Sequence, residues 1–258
     1  MDHDGKVRVA EEIARRVRER FGEAILFGTF SGSVARGEDT ERSDLEIVFV
    51  TRDKIRLPGM SPDGYREFMF RGLQTQIEFR TRDEVLETLT NVGPYWPIQV
   101  WMYLEPRLIW EPARTAQEAL AEFRQRVSEL PDSTFQRGAG HALLWLRGHL
   151  GKVRNAFDEG DDARTAQATE WLGYEIACFV ALVNRRYYLR SDLRWLRESD
   201  SFPYLPKNYP ALMMEMHRAR NRKEILHTAS ELCAACEDLA RAHDIQVETI
   251  DRLEDIGL

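Results

Sequence analysis

One stretch of this chain restricts its fold more than any other: two apolar runs separated by a turn rich in glycine and serine. The first run is AILFGTF at 24–30, and the second is LEIVFVT at 45–51, which begins directly after an aspartate. Short apolar runs bounded by turn residues are typical of buried β-strands. The segment therefore predicts two strands joined by a turn that carries polar side chains.

The turn between these runs has the composition of an anion site. Glycines at Gly28 and Gly32 allow the backbone to turn sharply after a strand that we expect to end at Phe27. Ser33 is predicted to be the N-cap of a short helix. Backbone N–H groups at such a turn, together with the helix N-terminus, bind anions. Ser33 adds a hydroxyl donor, and Arg36, one helical turn further on, adds a fixed positive charge.

Two acidic residues, Asp44 and Glu46, stand at the start of the second run. Because side chains alternate along a strand, both carboxylates face the same side. Two carboxylates on one face repel each other unless a cation lies between them, and Mg²⁺ typically uses one or two carboxylates plus substrate phosphates. A phosphate cradle opposite a carboxylate pair suits phosphoryl or nucleotidyl transfer. The alternative is a pair of surface acids beside a turn that only redirects the chain.

The pattern along the chain predicts an α+β protein with two domains. A helix at 6–20, the two strands, further strands in REFMFRGLQTQIEFRT and strand-like runs up to 110 indicate a mixed-sheet domain at 1–112. An all-helical bundle is predicted at 113–258. Its helices are expected near 113–130, 137–159, 164–188, 209–220 and 222–243.

Composition excludes several functional classes. No apolar run reaches the roughly 18 residues that a membrane span requires, so no membrane partner is expected. The net charge of −7 argues against a dedicated nucleic-acid binder and is compatible with a small cationic substrate. Three cysteines cannot form a disulfide framework, which favours a reducing, cytoplasmic location.

The order Gly-Ser, ten residues, then acid–apolar–acid and an apolar run resembles the signature of the polymerase-β-type nucleotidyltransferase superfamily. Within that superfamily the chain resembles the kanamycin nucleotidyltransferase type of aminoglycoside 4′-O-nucleotidyltransferase. The resemblance extends to EFRTRDEVL at 78–86, to GKVRN at 151–155 and to ALVNRRY at 181–187. It implies a homodimer, Mg²⁺ (two ions), and ATP or another nucleoside triphosphate as co-substrate.

The resemblance also assigns roles to residues. Gly32, Ser33 and Arg36 match nucleotide-binding positions, and Asp44 and Glu46 match the metal ligands. A further acid on a later strand is usual in the superfamily, and Glu78 is its best candidate here, as a metal ligand or as a base; the alternative for Glu78 is an exposed strand carboxylate.

In the helical half, Lys152 matches a lysine that approaches the nucleotide phosphate; a solvated position on the helix is the alternative. The family's catalytic glutamate falls on Gly148, which has no side chain to accept a proton. His149, three residues before Lys152, is one candidate base, and Glu78 is the other. A further departure is Gln76, which stands where the most direct alignment has a glutamate.

The expected function is transfer of a nucleoside monophosphate, AMP from ATP, to a hydroxyl of a small cationic acceptor, an aminoglycoside antibiotic above all. The same chemistry on a protein or RNA acceptor, as in toxin–antitoxin nucleotidyltransferases, is a second hypothesis. The third is a nucleotide-binding protein without catalysis.

Overall fold

The computed structural model describes residues 1–111, 114–190, 194–219 and 221–249. These residues form two compact units. The first comprises Met1–Asn91 and Val100–Glu129, and the second comprises Val92–Gln99 and the described residues from Leu130 onward. The domain boundary predicted at 112–113 lies outside the described residues.

The first unit is built on one five-stranded sheet. In chain order its helices and strands are α1 (His3–Phe21), β1 (Ile25–Phe30), α2 (Gly32–Arg36), β2 (Leu45–Thr51), β3 (Tyr65–Phe70), β4 (Leu73–Thr81), α3 (Arg82–Thr90), α5 (Trp101–Leu104), β5 (Arg107–Trp110) and α6 (Thr115–Ser128). Helix α4 (Trp96–Gln99) belongs to the second unit. The strand order is β3-β4-β2-β1-β5. Only β2 and β4 pair in parallel, so the sheet is mixed, as predicted.

The core of the first unit lies between α1 and the sheet. Helix α1 buries an apolar stripe at helical spacing, made by Val9, Ile13 and Val17, against side chains of the central strands such as Ile47 and Phe49. Burial of one such aliphatic side chain contributes about 1.5–3 kcal/mol. The packed helix thereby holds in place the end of the sheet where β1 leads into the turn.

A buried lysine connects α1 to the segment that follows α2. The Lys6 side chain has no exposure, its Nζ lies 3.1 Å from an Asp39 carboxylate oxygen, and it also donates to the Thr40 carbonyl. His3 lies 2.6 Å from the same aspartate. Burial alone would raise the pKa of Asp39, but the hydrogen bonds and charges of these partners hold it below its usual range. This segment leads directly to the acid pair, in which Asp44 precedes β2 and Glu46 lies on it.

The second unit is helical. Its helices are α4 (Trp96–Gln99), α7 (Asp132–Asp158), α8 (Asp162–Val183), α9 (Trp195–Ser199), α10 (Tyr209–Arg218) and α11 (Arg222–Ala242). Helices α7, α8 and α11 pack against one another. No helix within the described ranges combines the length and apolar composition needed to cross a membrane.

The α+β layout is confirmed, but three local predictions are wrong. Strand β1 continues to Phe30 instead of ending at Phe27. Ser33 lies inside α2, and the cap position belongs to Ser31, whose side chain makes no capping hydrogen bond. The strand-like runs after residue 95 form the short helices α4 and α5, and only Arg107–Trp110 is a strand.

Candidate active site

The turn after β1 places its backbone directly against the side chain of Glu46. Gly32 has φ +73°, and a Cβ added there would collide with the Glu46 carboxylate. The Ser31 amide donates to the Glu46 carbonyl oxygen at 3.0 Å, which joins the turn to β2. The left-handed backbone favours glycine at position 32, and a larger residue there would also require the Glu46 carboxylate to move.

The acid pair is close to this turn and lacks a compensating charge of similar strength. Asp44 is exposed just before β2, and Glu46, on β2, is partly buried. Burial, together with the charges of Asp44 and Glu78, raises the pKa of Glu46 to about 7, although the charge of Arg36 opposes this shift. Negative charge thus converges on Glu46, which is the condition that a bound cation relieves.

Strand β4 adds two polar side chains to the same face of the sheet. In the parallel register, Gln76 is opposite Glu46, and Glu78 is opposite Val48. Because residues alternate along each strand, Glu46, Gln76 and Glu78 face one side. Gln74 and Arg80, at alternate positions of β4, share this face.

Glu78 is not an exposed strand carboxylate, because only 4% of it is exposed. It accepts hydrogen bonds from the Arg80 guanidinium and, at 3.1 Å, from the Tyr103 hydroxyl. Burial and the charge of Glu78 raise the pKa of Tyr103 above its ordinary value, so this hydroxyl remains a donor. A buried carboxylate with two donors is held in one orientation.

Arg36 lies beside the turn, within reach of an aromatic ring. Its Nε is 3.0 Å from a Glu38 carboxylate oxygen, and its guanidinium carbon is 5.7 Å from the centre of the Trp101 ring. The same ring is 4.0 Å from the position that a Cβ on Gly32 would occupy. Of the nucleotide-binding residues predicted from the sequence, Gly32, Ser33 and Arg36 are on α2, whereas Lys152 is on α7 in the second unit.

The acid pair can hold a metal only with help from a ligand. Across the described residues there is no group of three or more His, Cys, Asp or Glu side chains placed to bind an ion. Two carboxylate residues beside an anion-binding turn nevertheless fit Mg²⁺, which completes its octahedral shell with waters and substrate phosphates. The donor set at Asp44 and Glu46 therefore fits Mg²⁺ carried by a nucleoside triphosphate.

The other predicted residues, His149 and Lys152, lie on α7 in the second unit. The Lys152 Nζ is 3.3 Å from His149 Nε2, and His149 Nδ1 is 3.1 Å from the Trp145 carbonyl oxygen. Partial burial and the charge of Lys152 lower the pKa of His149, which favours a neutral imidazole. With Nδ1–H directed to a carbonyl, Nε2 is the basic nitrogen. A Cβ on Gly148 would meet nothing within 4 Å.

Sequence reasoning missed a buried carboxylate beside His149. Glu175 on α8 is fully buried, one of its oxygens lies 3.9 Å from His149 Nδ1, and the same oxygen accepts from the Tyr95 hydroxyl at 2.7 Å. Its other oxygen has no hydrogen-bond partner among the described residues. Burial raises the pKa of Glu175, and Tyr95 and Lys152 oppose that shift. The signal in the sequence was one acid inside the apolar run LGYEIACFVALV.

Comparisons with known proteins agree with this architecture. The family model described as KNTase C-terminal domain matches residues 117–246, which is half of the chain. A solved structure of a nucleotidyltransferase-like protein from Exiguobacterium sibiricum is similar over 90% of this chain and 74% of its own, with a TM-score of 0.50 and 12% sequence identity. That identity supports the fold alone. A search of curated proteins gave no significant match. The chain belongs to the KNTase C-terminal domain family, within the nucleotidyltransferase superfamily.

Proposed function

We propose that the protein transfers a nucleoside monophosphate, AMP from ATP, to a hydroxyl group of a small cationic acceptor of the aminoglycoside type. One observation carries this proposal: the glycine turn at 32 touches the carboxylate of Glu46, whose pKa is raised to about 7 by burial and by neighbouring acids. An anion-binding turn against an uncompensated acid pair is the arrangement that a metal–triphosphate complex neutralises.

The chain's own residues would hold the triphosphate as follows. The backbone amides at the start of α2 and the Ser33 hydroxyl donate to phosphate oxygens, and Arg36 supplies a fixed positive charge. Asp44 and Glu46 would hold Mg²⁺, which when bound neutralises the phosphates and polarises the phosphorus under attack. The acceptor oxygen bonds to the α-phosphorus, the α–β bridging bond breaks, and pyrophosphate leaves.

The proton of the acceptor hydroxyl requires a base, and two side chains are candidates. Glu78 lies on the same face of the sheet as Glu46, but Arg80 and Tyr103 already donate to it. His149 presents a neutral imidazole, with Glu175 at its Nδ1 side. We favour His149, because its pKa is lowered and its Nε2, 3.3 Å from the Lys152 amine, would become free to accept a proton once Lys152 turns to a nucleotide phosphate. Lys152 is assigned to a nucleotide phosphate, and a homodimer is part of the same proposal.

Labelled ATP, Mg²⁺ and kanamycin, incubated with the wild type and with Asp44→Asn, test the proposed function. Label on the antibiotic that disappears with the variant supports it. Label on protein or RNA instead would assign the same chemistry to a macromolecular acceptor. Tight ATP binding without transfer to any acceptor would make the protein a nucleotide-binding protein and would overturn the proposal.

A further inference from the structure

The second unit contains a large cavity that none of the residues discussed above, except Tyr95, lines. Its volume is about 1150 Å³, which is ample for a small organic molecule. Four aromatic side chains line it: Tyr95, Trp171, Tyr174 and Trp195. Short segments of α4, α8, α9, α10 and α11 supply the walls, together with Tyr95 just before α4 and Ala219 just after α10.

The aromatic rings form one connected array with Tyr174 at its centre. Ring centres lie 5.3 Å apart for Tyr174 and Trp195, 5.8 Å for Tyr174 and Tyr95, and 6.5 Å for Tyr174 and Trp171. Trp171 is 52% exposed although it is a large apolar side chain, so the array extends from the interior to the surface. One face of the Trp171 ring stacks on His149, with ring centres 6.4 Å apart, which leaves the other face for a ligand.

Glu170 is the one acidic side chain among the described residues that line the cavity, and those residues include no lysine or arginine. Burial lowers the pKa of His217, the histidine of the lining, against the opposing charge of Glu170, so this ring is neutral at neutral pH. Behind the wall, Tyr95 donates to the buried carboxyl of Glu175. These groups favour a cation and disfavour a phosphate-bearing ligand.

We propose that this cavity binds a small organic monocation with an apolar body. The aromatic faces of Trp171 and Tyr174 would contact the cationic head, and Glu170 would balance its charge. A polyamino sugar fits less well, because a single lining acid cannot balance several ammonium groups. The proposal concerns the second unit alone and does not depend on nucleotidyl transfer.

The test is calorimetric titration of the full-length protein with benzyldimethyl(2-hydroxyethyl)ammonium. Its neutral analogue, 2-(benzyloxy)ethanol, has a similar body and the same hydroxyl group without the charge. We expect saturable binding of one cation per chain, with an affinity at least about 10-fold higher than that of the neutral analogue. Equal affinities, or no saturable binding of the cation, would overturn the proposal.

Variants locate the binding. Trp171→Leu, at an exposed position that folding tolerates, and Glu170→Gln should each weaken the cation about 5-fold or more, whereas Glu231→Gln, an exposed acid on α11, should not. Unchanged affinity in Trp171→Leu and Glu170→Gln, with wild-type thermal unfolding, would place the cation elsewhere and contradict the proposal. Neither result alters the Asp44→Asn test of transfer.

Discussion

Each unit holds a carboxyl group whose pKa is raised, and the two groups are surrounded differently. Glu46 in the first unit faces the charges of Asp44 and Glu78, and the arginine that opposes them is itself paired with Glu38. Glu175 in the second unit accepts from Tyr95 and lies near a histidine and a lysine. The chain therefore supplies Glu175 with a hydrogen-bond donor and the nearby charge of Lys152, whereas the charge at Glu46 is left for a bound cation to balance.

The largest effect is expected when one negative charge of the acid pair in the first unit is removed. Asp44→Asn or Glu46→Gln should lower nucleotidyl transfer by roughly 1000-fold or more, because the metal ligands are lost. Thermal unfolding should not occur at a lower temperature, since both substitutions relieve repulsion. Transfer rates from labelled ATP, measured beside Asp63→Asn as an exposed control, decide the matter; a retained rate in either variant contradicts the metal assignment.

The second unit is tested by His149→Ala, which should lower kcat about 100-fold and leave the affinity for the nucleotide unchanged. The loss would reflect the missing base and not a missing contact to the triphosphate. His141→Ala, at an exposed position on the same helix, is the matched control. Single-turnover rates measure the chemical step, and a separate titration measures the affinity for ATP. An unchanged single-turnover rate in His149→Ala would show that His149 is not the base.

Substitutions at two glycines distinguish the cost of backbone strain from the cost of contact with the Glu46 carboxylate. Gly32 and Gly37 have φ values of +73° and +68°, but only at Gly32 would a Cβ meet a side chain, that of Glu46. Gly37→Ala should cost about 1 kcal/mol of unfolding free energy, and Gly32→Ala roughly 1–2 kcal/mol more. Chemical denaturation measures both. If the two variants lose equal stability, the carboxylate does not press against the turn.

The smallest effect is expected at Glu175 and depends on pH. Because its folded pKa is raised, the protonated form is favoured in the folded state, and stability from this group is fully present below its unfolded pKa. That stability is lost as pH rises through the folded pKa. Glu175→Gln, which keeps an acceptor for Tyr95, should therefore gain stability relative to wild type as pH increases. Denaturation curves across a range of pH measure the difference in unfolding free energy between Glu175→Gln and wild type. A stability advantage of the variant that shrinks toward high pH would contradict the prediction.

The sequence predicted what depends on local periodicity. The α1 stripe, the β2 run and the long helices are visible as hydrophobic patterns, because burial of one face repeats with the geometry of the element. The pairing of β2 with β4 is not local, so the position of Gln76 opposite Glu46 emerged only from the structure. The acid pair itself was recognisable because its residues are close in sequence.

Two misses have physical causes. Aromatic residues after Tyr95 favour strands on average, but their context decides, and here Trp96 packs edge-to-face on Phe135 from a short helix. Glu175 escaped notice because helical periodicity places it in the interior, where an acid is rare unless it is paired. Its partner Tyr95 lies far from it in sequence, so no spacing rule links them.

Because Lys6 is buried, chemical labelling of its amine measures local opening of the first unit. The other four lysines, Lys54, Lys152, Lys207 and Lys223, are exposed. An acylating reagent should therefore modify these four at once and reach the Lys6 amine only when helix α1 separates from Asp39 and Thr40. The slow phase of labelling, read by mass spectrometry, would time the local opening of the segment that leads into the acid pair.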